Sequence, residues 1–357
     1  MTSYLKKNII QSGSYIPGRN KSSVTNSNGT QSTIQLSSNT SILGPSPKVI
    51  EVIKNEVEII KYYPDASAKI FKETVSNKLG IKPENLLVGN GSAEIIDIIN
   101  RAILHEKDEI IIGNPTFPKY DISATICNAL VTKVNMINNK HDLDGMLKSI
   151  SNSTRVIFID TPCNPVGTAL TKNEIIDFIN NLPSNVLAVF DEAYFEFNDP
   201  SNHIDYTAFL DQKNVLFMRS LSKAYGIAGL RIGYLIGNPE MISYINKVRE
   251  VFNVNSLALL AGNAAIKDEE HLIKNVVLTH QQKEYLYSKL DELNFSYQES
   301  LGNFILIDTK RDLHIVDTFL LNRGLIVRPI QTDEKNVGLI RVTIGKPEEN
   351  NVFIDAL

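Results

Sequence analysis

One short segment, MRSLSKAYGIAGLRIGY, combines a lysine with two hydroxyl groups and an arginine. Ser220 and Ser222 precede Lys223, and Arg231 follows the lysine by eight residues. A lysine that condenses with an aldehyde must be partly desolvated, so that its pKa falls. Hydroxyl groups and a guanidinium are suited to binding a phosphate. The segment predicts a lysine nucleophile beside a phosphate anchor, although an isolated SLSK segment is more often a solvated turn.

A carboxylate ends the hydrophobic run of VLAVFDEAY. Asp191 follows the run directly, and Tyr194 comes three residues later. A buried carboxylate without a partner is costly, so a cation is expected against it. A cationic ring nitrogen would satisfy Asp191, whereas a helix N-cap or a capped strand end is the commoner role of such a residue.

Three further segments place functional groups after predicted strands. In DTPCNPVG, Asn164 lies in a proline-bounded turn that directs its amide toward the strand ends. In LLVGNGSAE, the backbone of Ser92 and Ala93 opens a helix whose N-terminus favours an anion. In NPTFPKY, Phe117 could stack on a flat cofactor or fill the core. Each signal is weak when it is taken alone.

These residues lie at the ends of elements that the sequence periodicity predicts. From Leu86, short β-branched runs such as EIIIG, RVIFID and VLFMRS alternate with amphipathic helices such as SAEIIDIINRAIL. This alternation is typical of an α/β protein with a mostly parallel sheet covered by helices. Such sheets bind ligands at the carboxyl ends of their strands.

The segments on either side of this region are different. Residues 19–38 are mostly Ser, Asn, Thr, Gly and Lys, which indicates an exposed arm. Beyond about Asn238, long helical stretches and shorter strands predict a second, α+β unit. We expect an N-terminal arm that is part of the small domain at 1–44, a large cofactor-binding domain at 45–250 and a small α+β domain at 251–357.

The composition disfavours several classes of protein. The 357 residues carry a net charge of -4, so no basic surface for nucleic acid is expected. We find neither a signal peptide's apolar region nor the run of about 18 apolar residues that a membrane helix needs. Two cysteines without metal-ligand spacing fit a reducing cytosol and no bound metal. The six histidines lie outside the motifs and are expected at the surface or as caps.

The motifs together resemble a known family. NGSAE, NPTFPKY, TPCNPVG, DEAY and SLSKAYGIAGLRIGY occur in the order and approximate spacing of the fold-type I pyridoxal phosphate aminotransferases. Their flanking residues are similar to the histidinol-phosphate aminotransferase branch, and the resemblance covers nearly the whole chain. It implies an aspartate-aminotransferase-like fold, a pyridoxal 5'-phosphate cofactor and a homodimer, while the composition predicts a cytoplasmic protein.

The resemblance also implies a role for each residue. Lys223 resembles the catalytic lysine that binds the cofactor's aldehyde and then moves the substrate's α-proton. The implied cofactor-binding residues are Asp191 at the ring nitrogen, Asn164 and Tyr194 at the phenolic oxygen, Phe117 as the stacking ring, and Ser92, Ala93, Ser220, Ser222 and Arg231 around the phosphate. Tyr63 matches a tyrosine that reaches the neighbouring subunit's phosphate. For the substrate, Arg341 matches the carboxylate-binding arginine, Arg328 an arginine that faces a substrate phosphate, and Tyr15 an aromatic residue that closes over the substrate.

One segment departs from the family pattern. Where the family reads Asn-Glu-Asn-Pro, this chain reads NTSI at residues 39–42, and an acidic residue is missing. Threonine-phosphate decarboxylases of the same fold also lack that acid. The expected activity is amino transfer between glutamate or 2-oxoglutarate and a small phosphorylated substrate, with phospho-amino-acid decarboxylation as the alternative. A non-catalytic sensor that uses the same fold is disfavoured by the presence of the complete set of functional residues.

Overall fold

The computed structural model describes residues 4–11, 13–14, 17–19, 33–331 and 338–357. Within these ranges the strands are β1 (Ile34–Gln35), β2 (Leu86–Gly89), β3 (Glu109–Asn114), β4 (Leu130–Asn135), β5 (Thr154–Asp160), β6 (Leu187–Asp191), β7 (Val215–Ser220), β8 (Gly233–Gly237), β9 (Ser296–Gln298), β10 (Phe304–Asp308), β11 (Leu325–Ile326), β12 (Arg328–Pro329) and β13 (Leu339–Thr343).

The α-helices within the same ranges are α1 (Lys7–Gln11), α2 (Pro47–Glu56), α3 (Lys69–Leu79), α4 (Ser92–Ile103), α5 (Lys119–Ile126), α6 (Leu143–Lys148), α7 (Lys172–Asn181), α8 (Pro239–Asn246), α9 (Ser256–Lys267), α10 (Glu269–Glu292), α11 (Leu313–Asn322) and α12 (Pro347–Asp355). Local chemistry starts several of them. Ser46 caps α2 with proline in its first turn, and Thr171 forms a capping box with Glu174 at α7. No helix in these ranges combines the length and the apolar run that crossing a bilayer requires.

The main sheet has seven strands in the order β2-β8-β7-β6-β5-β3-β4. All neighbours are parallel except at β8, which runs antiparallel to both β2 and β7. The register sets Asp160, the last residue of β5, directly beside Asp191, the last residue of β6. Ser220 ends β7 opposite Gly233 of β8. The carboxyl ends of neighbouring strands therefore bring polar residues from distant segments to one edge.

Two apolar layers cover the faces of this sheet. Successive side chains of a strand point to opposite faces, and in β5 Ile157 and Ile159 enter one layer while Val156 and Phe158 enter the other. Because both faces are covered, the central strands read as continuous apolar runs instead of alternating with polar residues.

A second sheet, antiparallel and ordered β12-β13-β10-β9, carries a separate apolar core with α10, α11 and α12. The segment before α2 packs against it, since the amide of Thr343 donates to the carbonyl of Leu36 and the amide of Asn39 donates to the hydroxyl of Thr343. Helix α9 instead packs on α2 and α3, in the core of the main sheet. The domain limits at residues 44 and 250 remain predictions.

Candidate active site

Lys223 follows β7 at the carboxyl edge of the main sheet. Its Nζ donates to the carbonyl of Ser38 at 3.2 Å and lies 5.6 Å from the centre of the Tyr194 ring. Among the described residues no carboxylate pairs with it within 4 Å. Burial lowers the pKa of Lys223 to about 7, and the positive charges of Arg341 and Arg231 act in the same direction. The amine is therefore available as a nucleophile near neutral pH.

Hydroxyl groups and a guanidinium gather at the start of α4. The Arg231 guanidinium lies 3.4 Å from the hydroxyl of Ser222, and the Ser222 amide donates to the hydroxyl of Ser220 at 3.2 Å. Gly91 precedes α4 with a φ of 77°, and a Cβ built there would lie 2.3 Å from an Arg231 nitrogen. The missing side chain thus lets Arg231 approach the helix.

The first two amides of α4, those of Ser92 and Ala93, have no acceptor within the helix. They begin the helix beside Arg231, at its electropositive end. Backbone donors, hydroxyls and one guanidinium together form a site suited to a phosphate.

Asp191 is a buried carboxylate that neighbouring residues hold in one orientation. Its two oxygens accept from the hydroxyl of Tyr120 at 2.7 Å and from the amide of Ala193 at 3.1 Å. Burial raises the pKa of Asp191 to about 7, against the effect of the hydrogen bond from Tyr120. A protonated ring nitrogen placed against Asp191 would favour its ionised form.

Tyr120 also connects Asp191 to the predicted stacking residue. Phe117 packs edge-on against Tyr120 with ring centres 5.7 Å apart, at the border of an apolar layer. Tyr120 lies in the NPTFPKY segment, but the motif alone does not predict it as a site residue. Its position three residues after Phe117, about one helical turn away, is the signal that could have found it.

Arg341 of the second sheet contacts Asn164, which follows β5 of the main sheet, and its charge acts on Tyr194. Arg341 of β13 donates to the side-chain oxygen of Asn164 and to the carbonyl of Ser37 at 2.8 Å. The side-chain amide of Asn39 donates to the hydroxyl of Tyr194 at 2.9 Å. Burial raises the pKa of Tyr194 to about 12, so the phenol stays protonated at neutral pH.

Asn39 was not predicted as a site residue, although it begins the NTSI segment. It is buried and has a φ of 53°, a left-handed conformation that asparagine tolerates better than most residues. Its side chain touches Tyr194, which places the departure from the family pattern beside the candidate site.

The prediction that the histidines are surface or capping residues is wrong for His141. This residue is buried, and its Nε2 lies 3.0 Å from the carboxylate of Asp160. Asp160 ends the apolar run RVIFID just as Asp191 ends VLAVFD. This similarity could have predicted Asp160 as a second buried carboxylate at the strand ends. His141 itself lies in a loop with no motif, so only the fold brings it to this edge.

The remaining predicted residues are Arg328, Tyr63 and Tyr15. Arg328 of β12 stands opposite Arg341 in the register of the second sheet. Tyr63 is 83% exposed and stacks on Phe252 with ring centres 4.8 Å apart. Tyr15 lies outside the described residues.

These groups fit pyridoxal 5'-phosphate on chemical grounds. The fit requires an amine of lowered pKa for the aldehyde, a buried carboxylate for a cationic ring nitrogen, and a phosphate site at a helix N-terminus. Lys223, Asp191 and Arg231 provide these three features at one edge of the sheet.

Comparison with known proteins supports this interpretation. The family model for aminotransferase class I and II matches residues 31–357. The chain belongs to the class I and II aminotransferases. Histidinol-phosphate aminotransferase from Moorella thermoacetica is 37% identical over 351 residues, which are 98% of this chain and 91% of the relative. The chain is thus a pyridoxal phosphate-dependent aminotransferase similar to histidinol-phosphate aminotransferases.

Solved structures support the fold assignment. The crystal structure of histidinol-phosphate aminotransferase from Sinorhizobium meliloti in complex with pyridoxal-5'-phosphate matches with a TM-score of 0.92 and 23% identity, covering 99% of this chain and 96% of that chain. L-threonine-O-3-phosphate decarboxylase from Porphyromonas gingivalis matches with a TM-score of 0.80 and 20% identity, covering 90% and 98%. The predicted aspartate-aminotransferase-like α/β fold is confirmed.

Proposed function

We propose that this aminotransferase moves an amino group between glutamate or 2-oxoglutarate and a small phosphorylated substrate of the histidinol phosphate type. The relatives that are 37% identical over nearly the full chain support this substrate class. The observation that carries the proposal is the arginine pair of the second sheet. Directly opposed residues of antiparallel strands share a face, so Arg328 emerges beside Arg341, which contacts Asn164 of the candidate site.

The arginine pair matches the charge of such reactants. Two guanidinium groups on one face of a sheet are suited to a reactant that carries anionic groups. Glutamate carries a second carboxylate, and histidinol phosphate carries a phosphate. Arg341 would bind the α-carboxylate of glutamate through two parallel hydrogen bonds. Arg328 would attract the phosphate of histidinol phosphate or the distal carboxylate of glutamate.

Pyridoxal phosphate supplies an aldehyde for the amino group and a ring that accepts electrons. The chain's residues would divide the remaining work. Lys223 would hold the aldehyde and would later take and return the proton at the substrate's Cα. Asp191 would hold the proton on the ring nitrogen, and Asn164 and Tyr194 would hydrogen-bond the phenolic oxygen. Phe117 would stack on the ring and exclude water from one side.

The phosphate group of the cofactor has its own set of residues in this proposal. The amides of Ser92 and Ala93 and the hydroxyls of Ser220 and Ser222 would donate to it, and Arg231 would balance its charge. Together they would anchor one end of the cofactor while its aldehyde end reacts.

We also propose that the enzyme is a homodimer in which Tyr63 reaches the partner subunit's cofactor phosphate. Tyr63 does not belong to its own chain's site cluster, and its ring is exposed. Ile60 and Val251, which lie close in sequence to Tyr63 and Phe252, are 69% and 68% exposed. Exposed apolar side chains that cluster are typical of an interaction site.

The cytoplasm is the proposed location, with a role in amino-acid biosynthesis. Both cysteines, Cys127 and Cys163, are free thiols, which fits a reducing compartment.

Decarboxylation of a phospho-amino acid is less well supported. The threonine-phosphate decarboxylase match is 20% identical and shows the fold alone. Thr40 stands where the resemblance places an acid, and this is the one observation that favours the alternative.

The deciding experiment supplies the purified holoenzyme with histidinol phosphate and 2-oxoglutarate and measures glutamate. Histidinol without the phosphate is the matched substrate control. We expect glutamate to form much faster with the phosphorylated donor. Carbon dioxide from phosphothreonine, without glutamate formation, would establish the decarboxylase instead. Equal rates with both donors would refute the phosphate preference.

A further inference from the structure

A second buried carboxylate, Asp160, lies beside Asp191 at the edge of the main sheet. Three hydrogen-bond donors converge on its two oxygens. The hydroxyl of Thr116 and the Nε2 of His141 lie 2.5 and 3.0 Å from Oδ1. The backbone amide of Asn164 lies 2.8 Å from Oδ2. None of the roles proposed above uses Asp160.

Both oxygens of Asp160 have a potential donor. The backbone amide of Asn164 can only donate, and the hydroxyl of Thr116 can donate as well. Nε2 of His141 also lies 3.1 Å from the backbone carbonyl of Asp160. Because both neighbours of Nε2 are acceptors, that nitrogen carries a proton.

A glycine in the adjacent strand β3 makes room for the His141 ring. A Cβ built at Gly113 would lie 2.4 Å from the His141 ring, so a larger residue in β3 would displace the histidine. Burial raises the pKa of Cys163 well above its ordinary value, and the charge of Asp160 adds to that effect. Cys163 therefore remains a thiol that faces the carboxylate.

The donors lie in two loops that carry proposed cofactor-binding residues. Thr116 directly precedes Phe117, the proposed stacking ring. Asn164 binds Asp160 through its amide while its side chain contacts Arg341. One carboxylate thus ties the loop after β3 to the loop after β5.

We propose that Asp160 is a positioning residue that holds Phe117 and Asn164 at fixed places along the strand ends and so sets the orientation in which the cofactor ring is bound. A hydrogen bond to a charged group is stronger than one between neutral groups. Because Asp160 binds both loops, weakening one link displaces one loop relative to the other. This inference rests on the proposed cofactor-binding roles and is independent of the amino substrate.

Another interpretation of the same residues is a metal site. Donor atoms of His141, Asp160 and Cys163 all lie within 4.8 Å of one another. Nε2 of His141, the carboxylate of Asp160 and the thiol of Cys163 already have hydrogen-bond partners, whereas the buried Nδ1 of His141 has none among the described residues. Metal analysis therefore belongs to the test.

The test compares Thr116→Val with Thr116→Ser in the holoenzyme. Valine keeps the shape but removes the donor to Asp160, whereas serine keeps the donor. Three quantities are measured without any amino substrate: the cofactor's dissociation constant, the circular dichroism of its visible absorption band and the unfolding temperature. We expect Thr116→Val to weaken cofactor binding about tenfold and to change the dichroism, and Thr116→Ser to resemble the parent.

Asp160→Asn is the second variant, and it should change the dichroism more than Thr116→Val because it alters both loops. If it does not fold, the threonine pair still decides the matter. Unchanged dichroism and affinity in Thr116→Val would overturn the proposal. A lower unfolding temperature with unchanged dichroism would show a merely structural role and would overturn it too. One equivalent of zinc in the purified protein would overturn the positioning role and would assign these residues to a metal site.

Discussion

Gly91 offers a sharp test of the proposed phosphate site, because one added methyl group conflicts with one identified side chain. In Gly91→Ala the new Cβ would lie 2.3 Å from an Arg231 nitrogen and 2.9 Å from its central carbon. The residue also has a φ of 77° and a ψ of 165°, a conformation that essentially only glycine adopts. The guanidinium must therefore move, and the backbone is strained.

The displaced guanidinium and the strained backbone set the expected loss of cofactor affinity and of stability. Displacing Arg231 removes a hydrogen bond to a charged group, which is worth about 1.5–3 kcal/mol. At 1.4 kcal/mol for each factor of ten, the cofactor's dissociation constant rises about tenfold to a hundredfold. The backbone strain of about 1–3 kcal/mol lowers the free energy of unfolding as well.

The assay titrates the cofactor-free variant with pyridoxal phosphate and follows the bound cofactor's absorption. Gly229→Ala is the matched control, because nothing lies within 4 Å of a Cβ built there and its turn directly precedes Arg231. We expect parental affinity in that variant. Parental affinity in Gly91→Ala, or equal losses in both variants, would refute the assignment of Arg231 to the phosphate.

Three further predictions concern the lysine, the second sheet and the partner subunit. Arg341→Gln should raise the pKa of Lys223, because the substitution removes a positive charge that lowers this pKa. The pH profile of covalent cofactor uptake, measured by stopped flow, should then move to higher pH. Arg328→Gln should raise KM for histidinol phosphate about tenfold, by loss of one charged contact, while kcat changes little in steady-state assays. Tyr63→Ala and Lys223→Ala should each lower activity alone, but a mixture of the two should regain it, because a mixed dimer assembles one complete site.

Each of these predictions has a result that would contradict it. An uptake profile that stays in place, or moves to lower pH, would mean that Arg341 does not act on Lys223. A tenfold KM increase for glutamate alone would assign Arg328 to the distal carboxylate and not to the phosphate. No regain of activity on mixing, with dimer exchange confirmed by light scattering of tagged chains, would show that Tyr63 acts within its own subunit.

Much of the main sheet could be predicted because its strands are buried on both faces. Apolar runs such as RVIFID and VLAVFD stand out from the amphipathic helices between them, and the structure has strands at Thr154–Asp160 and Leu187–Asp191. The parallel direction followed from the intervening helices. The antiparallel strand β8 had no such signal, since its sequence IGYLIG reads like its parallel neighbours.

The second sheet and the N-terminal segment were harder to predict. Strands of two residues, such as Leu325–Ile326 and Arg328–Pro329, are too short to show a period. The path of the segment before α2 depends on contacts such as that from the Asn39 amide to Thr343, which is 304 residues away in the chain. Pairing over such a distance leaves no local pattern.

For the candidate site, local sequence is enough to predict which reactive groups follow the strands, and the joint order of the motifs indicates the aminotransferase family. These are local properties, since a strand end and a helix start are marked by neighbouring residues. Which of these groups come into contact depends on the fold. The fold sets Asp160 beside Asp191, brings His141 into contact with Asp160 and places Asn39 against Tyr194. Those contacts depend on sheet order and register, which residues far apart in the chain establish together by burying one common core.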